Sequence, residues 1–276
     1  MKRVLIYRRG GLGDTLLTFP IAELLKREGF IIDFVGNTDY LKLLKEVEWV
    51  ENIYSEIPLK LDNYNRIILF SKENFLKLPQ VELVSPFPNK REHVLKHYLK
   101  SLDLKPLHSK VFPLKGYDRW NNFVVIHPGS GSSKKNAPLE LFIELYLLLE
   151  QTHLKPLFVL GEAEHNLIGE LKNYNVYLVE DILKFAKLLK GAKAFVGNDS
   201  GFSHLASYLG VPTVVLFGPT DPLVWKPIGP KTEVIYKEFP CSPCFPNNCT
   251  AMVEKECLRA IKVEEILKAL KGLEVF

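Results

Sequence analysis

The chain has 276 residues, 47% of them hydrophobic, enough for two α/β domains with cores of their own and too many for a small stapled module. Lysine and arginine number 36 against 32 acidic residues, a net charge of +4 that is too mild to argue for a nucleic-acid binder and suits a phosphorylated substrate or an anionic membrane face. No run approaches 18 apolar residues and the N-terminus lacks an apolar signal region, so a cytoplasmic protein is expected, with at most peripheral contact to the inner face of the membrane.

In chain order, Val4 to Tyr7 reads as a buried parallel strand. It empties into Arg9-Gly10-Gly11-Leu12-Gly13-Asp14, a glycine-rich turn that opens a helix from Asp14 to Arg27 with Leu16, Leu17, Ile21, Leu24 and Leu25 at helical spacing. A strand from Ile31 to Val35 completes a βαβ start. A helix near Tyr40 to Val47, strands near Arg66 to Phe70 and Val81 to Val84, and a helix near Arg91 to Leu102 follow. Pro106, Pro113 and Gly116 punctuate a polar stretch ending at Asn121-Asn122, where the linker is placed, giving a first domain over 1–115 and a second over 122–258.

The second half repeats the alternation. Strands are expected at Phe123 to Ile126, Leu157 to Leu160, Val176 to Leu178, Ala194 to Val196 and Thr213 to Phe217, with helices over Pro138 to Leu149, Ala163 to Leu171, Asp181 to Leu189 and Gly201 to Leu209. Residues 259–276 hold an amphipathic helix expected to cross back to the first domain. Two doubly wound, Rossmann-like domains place ligands at their switch points, and a cleft between domains is the natural ligand site.

Three loops carry candidate chemistry, each with a bland alternative. Gly10 to Asp14 fails the dinucleotide fingerprint, because position 16 is Leu, although Asp33 sits near the expected acidic place. Asp14 reads equally as a helix-start carboxylate and as a catalyst. In His127-Pro128-Gly129-Ser130-Gly131-Ser132-Ser133-Lys134-Lys135-Asn136-Ala137-Pro138, small residues and two lysines can surround phosphate oxygens; a surface loop is the alternative. Asp199, Ser200 and Gly201 stand where a helix begins and His204 falls one turn in, either facing an anion or as a structural histidine. Glu162 or Glu164, after the strand ending at Leu160, can accept ribose hydroxyls or simply start a helix.

These segments, in this order and continuing through Leu205 to Pro222, resemble glycosyltransferase family 9, the ADP-heptose:lipopolysaccharide heptosyltransferases. The resemblance implies an α/β GT-B fold of two facing Rossmann-like domains, with the acceptor on the first, beside Gly11 and Gly13, and the nucleotide-sugar on the second. It implies an inverting transfer from ADP-heptose to a lipid-linked oligosaccharide of the lipopolysaccharide inner core, with no cofactor required. Asp14 matches the general base and Lys135 the lysine that meets the donor phosphates. Ser130, Gly131, Ser200, Gly201 and His204 match phosphate contacts, and Asp199 the acidic residue near the donor sugar; Glu164 joins the candidate donor residues on the ribose reading above and not on the resemblance. Two departures stand out: Ala137 replaces a frequent Trp, and the chain is shorter than typical members.

All four cysteines lie in the tail, as Cys241-x2-Cys244-x4-Cys249-x7-Cys257. The spacing allows a structural zinc, disulfides or free thiols. Other readings of the chain are a glycosyltransferase using another nucleotide-sugar, a nicotinamide oxidoreductase, disfavoured by the failed fingerprint, and a nucleic-acid binder using the Cys-rich tail, for which no basic stripe is visible.

Overall fold

A computed structural model of the chain describes residues 2–244 and 256–276. The chain divides into two compact units, one up to Ser109 and one from Lys110 onward.

In the first unit, β1 (Arg3–Tyr7), β2 (Ile31–Val35), β3 (Asn52–Tyr54), β4 (Arg66–Phe70) and β5 (Val81–Val84) form a parallel sheet in the order β3-β2-β1-β4-β5. Helices α1 (Leu12–Leu16), α2 (Phe19–Arg27), α3 (Thr38–Glu46) and α4 (Val94–Ser101) belong to the same unit. Val4, Ile6, Ile32, Phe34 and Ile68 are fully buried, as expected of parallel strands covered on both faces. The helix expected from Asp14 to Arg27 is two helices. Pro20, in the first turn of α2, has no N–H to give to the preceding turn, so α1 ends at Leu16 and the chain restarts at Phe19. β3, three half-buried residues long, was too short to leave a pattern.

The second unit continues with β6 (Phe123–His127), α5 (Leu139–Glu150), β7 (Lys155–Leu160), β8 (Val176–Leu178), α6 (Ile182–Leu189), β9 (Ala194–Asn198), α7 (Gly201–Tyr208), β10 (Thr213–Phe217), α8 (Pro222–Trp225), β11 (Thr232–Tyr236), α9 (Glu256–Arg259) and α10 (Val263–Gly272). Its six strands are parallel in the order β11-β10-β9-β6-β7-β8. The helix expected from Ala163 to Leu171 is a 3-10 segment over Glu162–Leu167.

Two expectations about organisation change. Residues 110–115, assigned to the first domain, belong to the second unit: Phe112 is fully buried and donates its N–H to the Tyr208 carbonyl at 2.7 Å, and in the linker beyond them Tyr117 N–H reaches the Lys187 carbonyl at 2.8 Å. The terminal helix, expected to return to the first domain, has its apolar stripe in the second unit's core. Val263, Ile266 and Leu270 pack there with residues of α5 and β10, because that stripe completes a cluster containing Phe142, Leu145 and Val214.

Candidate active site

Each sheet reverses its winding once. In the first unit the reversal lies between β1 and β4, and in the second between β6 and β9, so the loops leaving those strands flank the crevice where open α/β sheets take ligands.

At the second crevice, Asn198 ends β9 with no exposure and ties the opposing loop down. Its Nδ2 donates to the Pro128 carbonyl at 2.7 Å, and its Oδ1 accepts the Ala137 N–H at 3.0 Å. Both ends of the Pro128 to Ala137 segment are thereby fixed to β9, and the substituted Ala137 still contributes through its backbone. Lys135, carried on that segment, donates to the Asp199 carbonyl at 2.7 Å and to Asp199 Oδ2 at 3.1 Å. Thr220 Oγ1 donates to the same Oδ2 at 2.7 Å, and His204 Nε2 stands 4.0 Å from Oδ1. The Asp199 side chain is only 7% exposed, and Lys135 and Thr220 supply hydrogen bonds in place of the water it lost.

Ser200 caps α7, its hydroxyl accepting from Ser203 N–H at 3.4 Å, and Gly201 opens that helix. The first-turn N–H groups of a helix lack intrahelical acceptors, which leaves an electropositive mouth beside Lys135. Ser130 uses its hydroxyl within the loop, 2.6 Å from Asn136 Oδ1 and 2.7 Å from the Ser132 carbonyl. Gly131 faces open space, where an added Cβ would meet nothing within 4 Å.

Glu164 is buried, and its Oε2 accepts the Gly161 N–H at 3.0 Å. The carboxylate lies so close to Gly129 that a Cβ there would fall 2.1 Å from Oε1. His127, at the end of β6, places Nδ1 2.9 Å from the Val159 carbonyl and packs against Phe202. Burial pushes its pKa below the ordinary 6.5, opposed by the negative charge of Glu164 and by the Val159 carbonyl.

At the first crevice Asp14 sits in α1, with its carboxylate held at both oxygens. Arg8 Nη2 donates to Oδ1 at 2.7 Å and Gly11 N–H to Oδ2 at 3.2 Å. Gly10 leaves room for this, since a Cβ there would lie 2.9 Å from the Asp14 Cβ and 3.0 Å from Oδ2. Gly13 is inside α1, its carbonyl accepting from Leu17 N–H at 3.1 Å. Thus Gly11, Gly13 and Asp14 come together in one unit, and Ser130, Lys135, Asp199, Ser200, Gly201 and His204 in the other. Sequence reasoning gave no role to Arg8, Asn198 or Thr220, although all three lie in or beside the motifs.

Asp33 has a structural task. In the middle of β2 and buried, it accepts from Arg3 Nη2 at 3.0 Å, Tyr64 Oη at 2.7 Å and Asn52 Nδ2 at 3.0 Å, which leaves it away from the strand's carboxyl end where a cofactor ribose would bind. The zinc that the cysteine spacing allows is not supported: among the described residues no three His, Cys, Asp or Glu side chains gather to hold a metal. Cys241 is exposed and Cys257 lies in the apolar core, where a thiol packs as a small hydrophobe; Cys249 lies outside the described residues. No helix among the described residues is long and apolar enough to cross a membrane.

The family described as glycosyltransferase family 9 (heptosyltransferase) matches residues 48–253. Lipopolysaccharide heptosyltransferase 1 of Pseudomonas aeruginosa is 38% identical over 95 residues, a match covering 34% of this chain and only 27% of that protein. Lipooligosaccharide heptosyltransferase 2 of Campylobacter jejuni serotype O:2 is 24% identical over an alignment of 321 positions that covers 98% of each chain. The solved structure of E. coli ADP-heptose lps heptosyltransferase II shares the fold, with a TM-score of 0.78 at 18% identity over 99% of this chain and 98% of that one.

Proposed function

The chain belongs to glycosyltransferase family 9, the heptosyltransferases, and from that premise we propose that it moves a heptose from ADP-heptose to a hydroxyl of a lipopolysaccharide inner-core acceptor, inverting the anomeric centre. The names of its relatives supply the donor and acceptor classes. The observation that carries the reading is the second crevice, where Lys135 stands beside the N-terminus of α7 and is fixed by Asp199, itself fixed by Thr220. That arrangement suits a diphosphate: a rigid cation and helix N–H groups lie where negative charge must be received.

In the proposed displacement the acceptor oxygen forms a bond to the anomeric carbon while the bond from that carbon to the diphosphate breaks. The leaving ADP gains charge as the sugar becomes oxocarbenium-like, and Lys135 with the α7 N–H groups is placed to stabilise it without reorganisation. Asp199 holds Lys135 in position and lies nearest the sugar. The acceptor hydroxyl loses its proton to the Asp14 carboxylate, the exposed member of its ion pair. Gly11 and Gly13 line the acceptor side of that carboxylate. Glu164 serves the adenosine ribose, and an acceptor anchored in lipid brings the enzyme to the inner membrane face.

Thermal denaturation with ADP, UDP and GDP sugars tests the donor. A rise in melting temperature with ADP-heptose and ADP, and none with UDP or GDP sugars, is expected; a preference for UDP or GDP sugars contradicts the donor assignment.

A further inference from the structure

Arg8 is a buried cation that no part of the family pattern quoted above requires. It follows β1 directly, and its backbone is fixed twice. Its N–H donates to the Val35 carbonyl at 3.0 Å, and its own carbonyl is so close to Gly36 that a Cβ at that glycine would lie 2.5 Å away. Its side chain is 8% exposed whereas that of Asp14 is 39% exposed, and its Nε is buried with no hydrogen-bond partner. A guanidinium removed from water this completely is unfavourable unless a specific partner compensates it, and the partner the structure gives is Asp14 Oδ1 at 2.7 Å. The nearby Tyr98 donates its hydroxyl to the Pro86 carbonyl at 3.1 Å. Burial pushes the Tyr98 hydroxyl up to about 12, with the Arg8 charge opposing the rise and the Asp14 charge adding to it.

We propose that Arg8 is the positioning residue of the base: rooted in the sheet, it fixes the rotamer of Asp14 so that Oδ2 is the oxygen presented to the acceptor hydroxyl. This rests on the reading of Asp14 as base. Asp14 stands in α1 just after the glycine turn, and Gly10 and Gly11 have no side chains that could pack against its carboxylate and hold the rotamer. A carboxylate has about four acceptor directions, and the bonds from Arg8 and Gly11 occupy two, leaving capacity at Oδ2 for the incoming O–H. The Gly11 bond, at 3.2 Å, is the longer and weaker of the two, so the anchoring falls chiefly to Arg8.

The test is a double-mutant cycle on turnover of ADP-heptose with a lipopolysaccharide inner-core acceptor, using Arg8→Met, Asp14→Asn and the double variant, with Arg8→Lys as the conservative control. Arg8→Met is expected to lower kcat roughly 10- to 100-fold, the range for a displaced catalytic group, with the KM values of both substrates unchanged. Arg8→Lys is expected to recover most of that loss. In the Asp14→Asn background the same Arg8→Met change is expected to alter the residual rate by less than about threefold, because a residue acting through Asp14 has nothing left to position. An equal fractional loss in both backgrounds, or a loss in Arg8→Met that tracks a fall in folded protein on thermal melting, overturns the positioning role while leaving Asp14 as base. Wild-type turnover by Asp14→Asn overturns the base itself and this inference with it.

Discussion

Asn198 illustrates how a neutral side chain sets charged chemistry. It has no charge to offer a nucleotide, yet its amide joins the end of β9 to both ends of the segment that carries Lys135. Asn198→Ala leaves the Ala137 N–H and the Pro128 carbonyl unsatisfied in a buried place. Chemical denaturation is expected to show a loss of about 1–3 kcal/mol, and calorimetry a weaker affinity for ADP. Removing the cation directly has a different signature: Lys135→Ala is expected to weaken ADP binding by roughly 10- to 100-fold, as for a charge-assisted bond, with little loss of stability. Undiminished ADP affinity in that variant removes Lys135 from the phosphate site. Gly129→Ala forces a methyl into the Glu164 carboxylate and is expected to destabilise by about 1–3 kcal/mol, read as a lower melting temperature. His127 adds a pH dependence. Its folded pKa is depressed, so below the ordinary value of 6.5 the unfolded chain binds the proton more readily, and stability is expected to fall as pH drops below about 6.5. A His127→Gln variant should flatten that part of a melting-temperature profile, and an unchanged slope would assign it to other groups. Asp14, Lys135 and Asp199 were legible in the sequence because charged residues in glycine-rich loops announce themselves. Arg8 and Asn198 were not, because their importance lies in partners that only the fold brings near.

At the scale of elements, the strands with near-continuous apolar runs were readable because they are covered on both faces. β2, β4 and β10, buried along nearly their whole length, have the bounds expected from their apolar runs, and the partly exposed edge strands β5 and β8 keep the bounds expected from their short Val- and Leu-containing runs. The misses have local causes. Pro20 splits one helix in two, and β11 (Thr232–Tyr236), a partly exposed edge strand that opens on Thr-Glu, was not read as a strand. Glu164 caps the Gly161 N–H and turns inward, and the segment there remains a 3-10 turn rather than a full helix. α10 is the element whose destination no periodicity could give, since an amphipathic stripe says that a face is buried but not against what. Ile266 is fully buried in the second unit's core, so Ile266→Ala is expected to cost about 2–5 kcal/mol in that unit. Calorimetry that shows no change in the second unit's transition contradicts the packing of α10 described above.

For the whole molecule, the proposed reaction gives different duties to two units, each built on a parallel sheet with one winding reversal. The first unit brings a carboxylate anchored by a buried arginine, and the second a lysine anchored by a buried carboxylate. In both pairs one member is held deep in the fold, and the other stands at the mouth with its orientation fixed. The division of labour makes a sharp demand, because losing the carboxylate must harm the chemical step without touching nucleotide binding. The most direct measurement is therefore turnover of ADP-heptose with an inner-core acceptor by Asp14→Ala, beside its ADP affinity by calorimetry. The expected result is a kcat lower by roughly 10²- to 10⁴-fold, the usual contribution of general-base catalysis, with ADP affinity unchanged. Turnover equal to that of the unaltered chain, with the same ADP affinity, would contradict it.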